Sequence, residues 1–161
     1  MKTIIVYASV HHGNTRKVAE AIAAAYGAEL LDALEVKEKD LSGYDLIGFA
    51  SGIYAGRFHQ AVMDFARNNL PQDKKIFYLM TSAMNRDFSK SMENAVRGKN
   101  ATVAGRFSCS GYNTFGPFKL IGGTAKGHPN AQDLEDAVAF FPRTAFSMDF
   151  EKSRFMALVM R

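Results

Sequence analysis

Apolar runs of strand length recur five times along the 161 residues, and most segments between them repeat their apolar residues at helical spacing. The strand-like runs are Lys2–Ala8, Ala28–Leu34, Leu46–Ser51, Lys75–Ser82 and Thr102–Tyr112, with Gly105 the place for a bulge. Thr15–Tyr26 sets Val18, Ala21, Ile22, Ala25 and Tyr26 on one helical face and stops at Gly27. Phe58–Leu70 aligns Phe58, Ala61, Val62, Phe65 and Ala66, and Pro71 closes it. A third helix runs through Phe88, Met92, Ala95 and Val96 to end near Gly98. Asn130 and Asp133 open a fourth, which carries Leu134, Ala137, Val138 and Phe141 inward. Such alternation predicts an α/β fold: a doubly wound five-stranded parallel sheet with helices on both faces. Residues 142–161 are amphipathic but weakly patterned, and no conformation is assigned to this tail.

The length fits a single domain over residues 1–161, and 47% hydrophobic with 22% charged residues is the balance of a folded globular chain. No apolar run approaches the roughly 20 residues of a membrane span, and no apolar signal core follows Met1-Lys2. Membrane insertion is therefore not expected. The lone Cys109 forms no internal disulfide, which fits a cytoplasmic location. A net charge of +4 without a Lys/Arg stripe interleaved with aromatics argues against a nucleic-acid partner.

In parallel sheets of this kind ligands sit outside the carboxyl ends of the strands. That directs attention to the loops Ser9–Asn14, Gly52–Arg57, Ala83–Asp87 and Asn113–Pro129. The first, within "SVHHGNT", joins a strand to a helix N-terminus, where unpaired N–H groups and a partial positive charge favour an anion. It lacks the lysine of a P-loop and the repeated glycines of a dinucleotide fingerprint. A phosphate monoester fits its hydroxyls and amides; so does an ordinary strand–helix turn with Asn14 as cap. His11 and His12 point apart as neighbours do, and no third ligand at metal spacing is visible, so no metal is assigned. The second loop, "SGIYAGRFH", offers Tyr54 as a flat face and glycines for close backbone approach. Cys109 has no neighbouring base to make it a nucleophile.

Taken together, "YASVHHGNT" followed by "LIGFASGIYAGRFH" resembles the flavodoxin family over roughly residues 2–141. The resemblance implies strand order 2-1-3-4-5 and FMN as cofactor. It implies that the FMN phosphate lies on the backbone of His11, His12, Gly13, Asn14 and Thr15, held by the side chains of Ser9, Asn14 and Thr15. His11 and His12 are then solvated side chains beside that phosphate. The ring would lie between two walls: Ser51, Gly52, Ile53, Tyr54, Ala55 and Gly56 on one side, and Thr81, Ser82, Ala83, Met84 and Asn85 on the other. Tyr54 is the first choice for stacking, a carbonyl near Ala55 or Gly56 would take the N5 proton, and Gly56 would tolerate the positive φ such a peptide needs. Tyr112 and Asn113 would also contact the cofactor, and the loop from Asn113 to Phe118 would reach the ring's edge or the partner. Two departures stand out. Three residues separate Ser9 from Gly13 where the common pattern has two, which lengthens the loop at the histidines; and many flavodoxins are strongly acidic where this chain is mildly basic.

The function implied is one-electron transfer at low potential, cycling mainly between flavin semiquinone and hydroquinone. The partners are then a reductase as donor and an oxidoreductase as acceptor, and the chain a monomer or homodimer. The alternative is an FMN-dependent oxidoreductase, a quinone reductase or protoporphyrinogen oxidase, which "SGIYAGRFHQAV" also resembles. A phosphorylation receiver would share the sheet order but needs acidic residues where strand one offers Tyr7, Ala8 and Ser9.

Overall fold

The computed structural model describes residues 1–114 and 120–160, with only the backbone described over 147–155. Its elements in chain order are β1 (Thr3–Ala8), α1 (Asn14–Tyr26), β2 (Glu29–Asp32), β3 (Leu46–Tyr54), β4 (Arg57–Phe58), α2 (Gln60–Asn69), β5 (Lys75–Ser82), α3 (Lys90–Ala95), β6 (Thr102–Ser110) and α4 (Ala131–Val159). Five strands form a parallel sheet in the order β2-β1-β3-β5-β6, and β4 folds back antiparallel on the end of β3. This is the expected 2-1-3-4-5 order; the small hairpin strand alone shifts the count.

Strand pleating divides the core in two. Ile4, Val6, Ile47, Phe49, Ile76 and Tyr78 face α2 and α3, meeting Val62, Phe65 and Met92. Ile5, Tyr7, Leu46, Phe77 and Leu79 face α1 and α4, meeting Val18, Ile22, Ala137 and Phe141. Glycine opens the second layer where β6 passes under α4: a Cβ on Gly105 would collide with Thr144 Oγ1 and the Phe140 ring. A register shift opposite Ile76 and Phe77 leaves β6 one residue longer just there, at the expected bulge.

The structure departs from the sequence reading at the end of β3, on the face of α1 and in the tail. The strand expected to end at Ser51 runs on to Tyr54, and Arg57-Phe58 pair back onto Tyr54-Ile53 through a two-residue turn. Both turn residues are left-handed, Ala55 at φ 51° and Gly56 at φ 76°, as a hairpin matched to strand twist requires. Phe58 is therefore a buried strand residue, and His59 caps α2. In α1 the buried face is Val18, Ala19 and Ile22; Ala25 and Tyr26 are exposed, with Tyr26 stacked on Phe141 at 4.7 Å. Finally, the tail is helical: α4 passes through Pro142 to Val159. Burial of Phe141, Thr144 and Ala145 on either side of the proline, and a hydrogen bond from Lys75 Nζ to the Ala145 carbonyl at 3.0 Å, outweigh the one helical bond Pro142 cannot make.

Candidate functional site

The order β2-β1-β3 reverses direction at β1, and α1 and α2 leave on opposite faces, so the sheet parts at the carboxyl ends of β1 and β3. A cleft of about 390 Å³ opens there, within the size range of small-molecule sites. Its three walls differ in chemistry.

The β1–α1 loop forms the first end. His12 (φ 57°) and Gly13 (φ 64°) are both left-handed, and this pair absorbs the extra residue of the loop. Gly13 is the N-cap of α1 and supplies no side-chain cap, while no acidic residue sits in the first turn. The helix therefore presents its N–H groups and positive end to whatever lies in front of it. Ser9 Oγ accepts one of them, from Arg16 N at 3.3 Å. The histidines diverge. The His11 ring lies 6.1 Å from that of Tyr54, whereas His12 packs against Tyr112 at 4.4 Å and hydrogen-bonds Thr114 Oγ1 at 2.9 Å. His12 thus ties two loops together while staying exposed to solvent.

The middle is polar and tightly knit. Thr15 Oγ1 and Thr81 Oγ1 share a hydrogen bond of 2.8 Å, and Asn14 Nδ2 donates to the Tyr112 carbonyl at 2.8 Å. Asn14 and Thr15, expected to grip a phosphate, are thus engaged across the loops, though both still line the cleft. Close approach of β6's end depends on Gly111, whose Cβ would stand 2.9 Å from Asn14 Nδ2. Two buried polar atoms of this region have no partner: Asn14 Oδ1 and Ser82 Oγ.

The other end is apolar, made by Ile53, Tyr54, Ala55, Met84 and Phe88. Burial raises the Tyr54 phenol pKa, against the opposing pull of the Val10 backbone. Its ring meets His59 edge-on at 5.4 Å. His59 Nδ1 accepts the Ala61 N–H at 3.0 Å, so that nitrogen is unprotonated; burial and then the charge of Lys37 lower its pKa. Arg86 brings the cleft's cation, its guanidinium 5.0 Å above the Phe88 ring, and no carboxylate lines the cleft among the described residues.

Fifteen of the nineteen residues proposed from sequence line this cleft, and four do not. Gly13 shapes the loop from behind. His12 turns to Tyr112. Ser51 is fully buried, with its Oγ accepting from His59 N at 2.8 Å and donating to the Gly52 carbonyl, so it anchors the hairpin. Asn85 is an exposed left-handed turn residue. Tyr112 and Asn113 line the cleft, whereas residues 115–118 lie outside the described residues. Val10, Arg86, Phe88 and Gly111 are passed over by sequence reasoning. Arg86 had a signal, a cation in a loop at a strand's carboxyl end; Gly111, a glycine directly after a strand, had another. Cys109 is buried off the cleft, and burial, with help from Asp133 and Asp136, pushes its thiol up to about 12.

A doubly wound parallel sheet with a cleft at its switch point places the chain among the α/β proteins whose ligands bind outside the carboxyl ends of the strands. The comparisons narrow the class. The flavodoxin-domain family model matches residues 4–116. An uncharacterized protein of Methanocaldococcus jannaschii is 38% identical over 143 residues, 87% of this chain and 95% of that one. The chain belongs to the flavodoxin domain family. Its fold is that of oxidised flavodoxin 2 from Bacillus cereus, with a TM-score of 0.67 at 19% identity over 91% of this chain and 99% of that one. It is also that of a Lactobacillus acidophilus flavoprotein solved in complex with FMN, with a TM-score of 0.51 at 21% identity over 66% and 92%. Among the described residues, no helix is long and apolar enough to cross a membrane.

Proposed function

We propose that this protein binds FMN in the cleft and carries single electrons between a reductase and an acceptor protein. The observation that carries the reading is the pair of orphaned buried atoms, Asn14 Oδ1 and Ser82 Oγ, midway between an open helix end and an apolar wall. A buried polar atom without a partner costs roughly 1–3 kcal/mol. A ligand with hydroxyls in its middle, an anion at one end and an aromatic ring at the other relieves both atoms at once. FMN has that order of groups, and the Lactobacillus flavoprotein of the same fold holds it.

Bound FMN supplies the redox chemistry, and the chain's work is to bind, orient and shield it. The N–H groups of α1 and the Ser9 hydroxyl hold the phosphate. Asn14 and Ser82 meet the hydroxyls of the ribityl chain. Tyr54 and Met84 would hold the ring, with the apolar side chains of this end against one part of it and the rest left accessible. The left-handed Gly56 lets the hairpin backbone present a carbonyl toward the ring.

Titration of the flavin-free protein with FMN and with riboflavin tests the binding half. Binding of FMN at least tenfold tighter than riboflavin is expected; equal binding, or none, removes the reading. Anaerobic titration with dithionite tests the carrier half, where reduction in two resolved one-electron steps is expected. Rapid two-electron reduction by NAD(P)H with quinone turnover would instead establish the oxidoreductase alternative.

A further inference from the structure

We infer that the ring end of the cleft is a docking face for an acidic redox protein, one that presents carboxylates around its own electron-transfer centre. The inference rests on the FMN reading for the identity of what is docked over, but the face itself is defined by side chains of this chain.

Three cations gather on one wall. Arg57 is exposed on β4, whose neighbour Phe58 donates its N–H to Ser91 Oγ at 3.1 Å, and this brings the exposed Lys90 alongside. Arg86 lies over Phe88, and Phe88 in turn stands 4.0 Å from the Cβ position of Gly56. Arg57, Arg86 and Lys90 thus surround the Gly56–Phe58 hairpin. No ion pair among the described residues engages any of the three. The nearby carboxylates, Asp87 and Glu93, are both turned to Arg106, at 3.8 and 2.7 Å. Arg57, Arg86, Lys90 and Arg106 outnumber the two carboxylates, so this wall is net positive among the described residues.

Beside the cations lies exposed apolar surface. Met84 is 59% exposed and Val10 48%, and both line the cleft. An apolar centre with a charged rim is the anatomy of a transient protein interface. The sign of the rim selects the partner, because complementary charge governs encounter and orientation more than it governs final affinity. A cationic rim repels a basic partner and steers an acidic one so that its centre arrives over the cleft.

Binding of two probes separates the cases: an acidic [2Fe–2S] ferredoxin and the basic protein cytochrome c, each at 20 and 200 mM salt by calorimetry. The ferredoxin is expected to bind, with affinity falling about tenfold across that salt range as the Debye length shrinks. Arg57→Glu with Arg86→Glu should weaken it at least tenfold at low salt. Met84→Ser should weaken it about equally at both salts. Preference for cytochrome c, binding of neither probe, or ferredoxin affinity unmoved by the charge reversal overturns the inference. Runs with and without FMN keep the two proposals apart: failure to take up flavin removes the function, whereas the probes' preference reports on the rim alone.

Discussion

The two ends of the cleft are built by different means. From the phosphate end into the polar middle, side chains interlock: Thr15 with Thr81, Asn14 with the Tyr112 carbonyl, and His12 with Tyr112 and Thr114. Asn14, Thr15 and Thr81 are all buried. At the ring end, shape comes from backbone turns, with Ala55, Gly56, Met84, Asn85 and Arg86 all exposed. The difference teaches where preorganisation is spent. A small anion of fixed geometry rewards a rigid cradle, while a planar ring that must also meet a partner rewards an accessible wall held by two turns.

If the phosphate end is rigid, wedging it should be the most damaging change. Gly111→Val puts a branched side chain where even a Cβ would stand 2.9 Å from Asn14 Nδ2 and 3.3 Å from Thr81 Cβ. Overpacking of this kind costs about 1–3 kcal/mol, and the upper end is expected because both neighbours are held by hydrogen bonds. Urea denaturation reads the stability loss, and flavin titration should show at least a tenfold loss of FMN affinity.

Next in size is Thr15→Val, nearly isosteric, which strands the buried Thr81 hydroxyl and should cost about 1–2 kcal/mol. The double variant Thr15→Val with Thr81→Val removes both partners and should recover most of that loss. A double variant no better than the single one would mean the pair does not hold the cradle as a unit.

The same contrast explains what the sequence disclosed. Strand and helix periodicity depends on burial, which repeats, so the sheet and the loops at its carboxyl ends were legible; the strand order followed from the family resemblance alone. The partners of polar side chains do not repeat. Nothing in "VHHGNT" says that His12 turns to a residue a hundred positions on, or that Thr15 meets Thr81 across the sheet. The hairpin at Ala55-Gly56 was hidden for another reason: alanine is a poor residue at positive φ, so local propensity argued against the turn that tertiary pairing enforces. The helix beyond Pro142 was hidden because proline ordinarily ends a helix, and only the packing of its flanks on the sheet carries it on.

At the ring end a smaller, pH-dependent effect is expected through His59, the α2 cap whose ring meets Tyr54. Its folded-state pKa is lowered by burial and Lys37, so the unfolded chain takes up a proton more readily. The stability it contributes is complete above about pH 6.5, the ordinary histidine value, and is lost as pH falls below it. Protonation also removes the acceptor for the Ala61 N–H. Urea midpoints at pH 7.5 and 5.5 should differ less in His59→Asn, which keeps a capping acceptor without a titrating group.

The smallest effect tests whether the exposed wall carries residual strain. Ala55 sits at φ 51°, where a left-handed L-residue costs roughly 1–2 kcal/mol. Glycine removes that cost but adds about 0.4–1 kcal/mol of chain entropy to be lost on folding. The difference favours Ala55→Gly by about 0.5–1 kcal/mol, read as a raised urea midpoint at unchanged slope. Gly56→Ala, at φ 76°, should move stability the opposite way by a larger step. If Ala55→Gly instead destabilises, the turn is held by its neighbours so firmly that the residue's own preference no longer counts. The ring end would then be as rigid as the phosphate end, and the division between a locked cradle and an adaptable wall would fail.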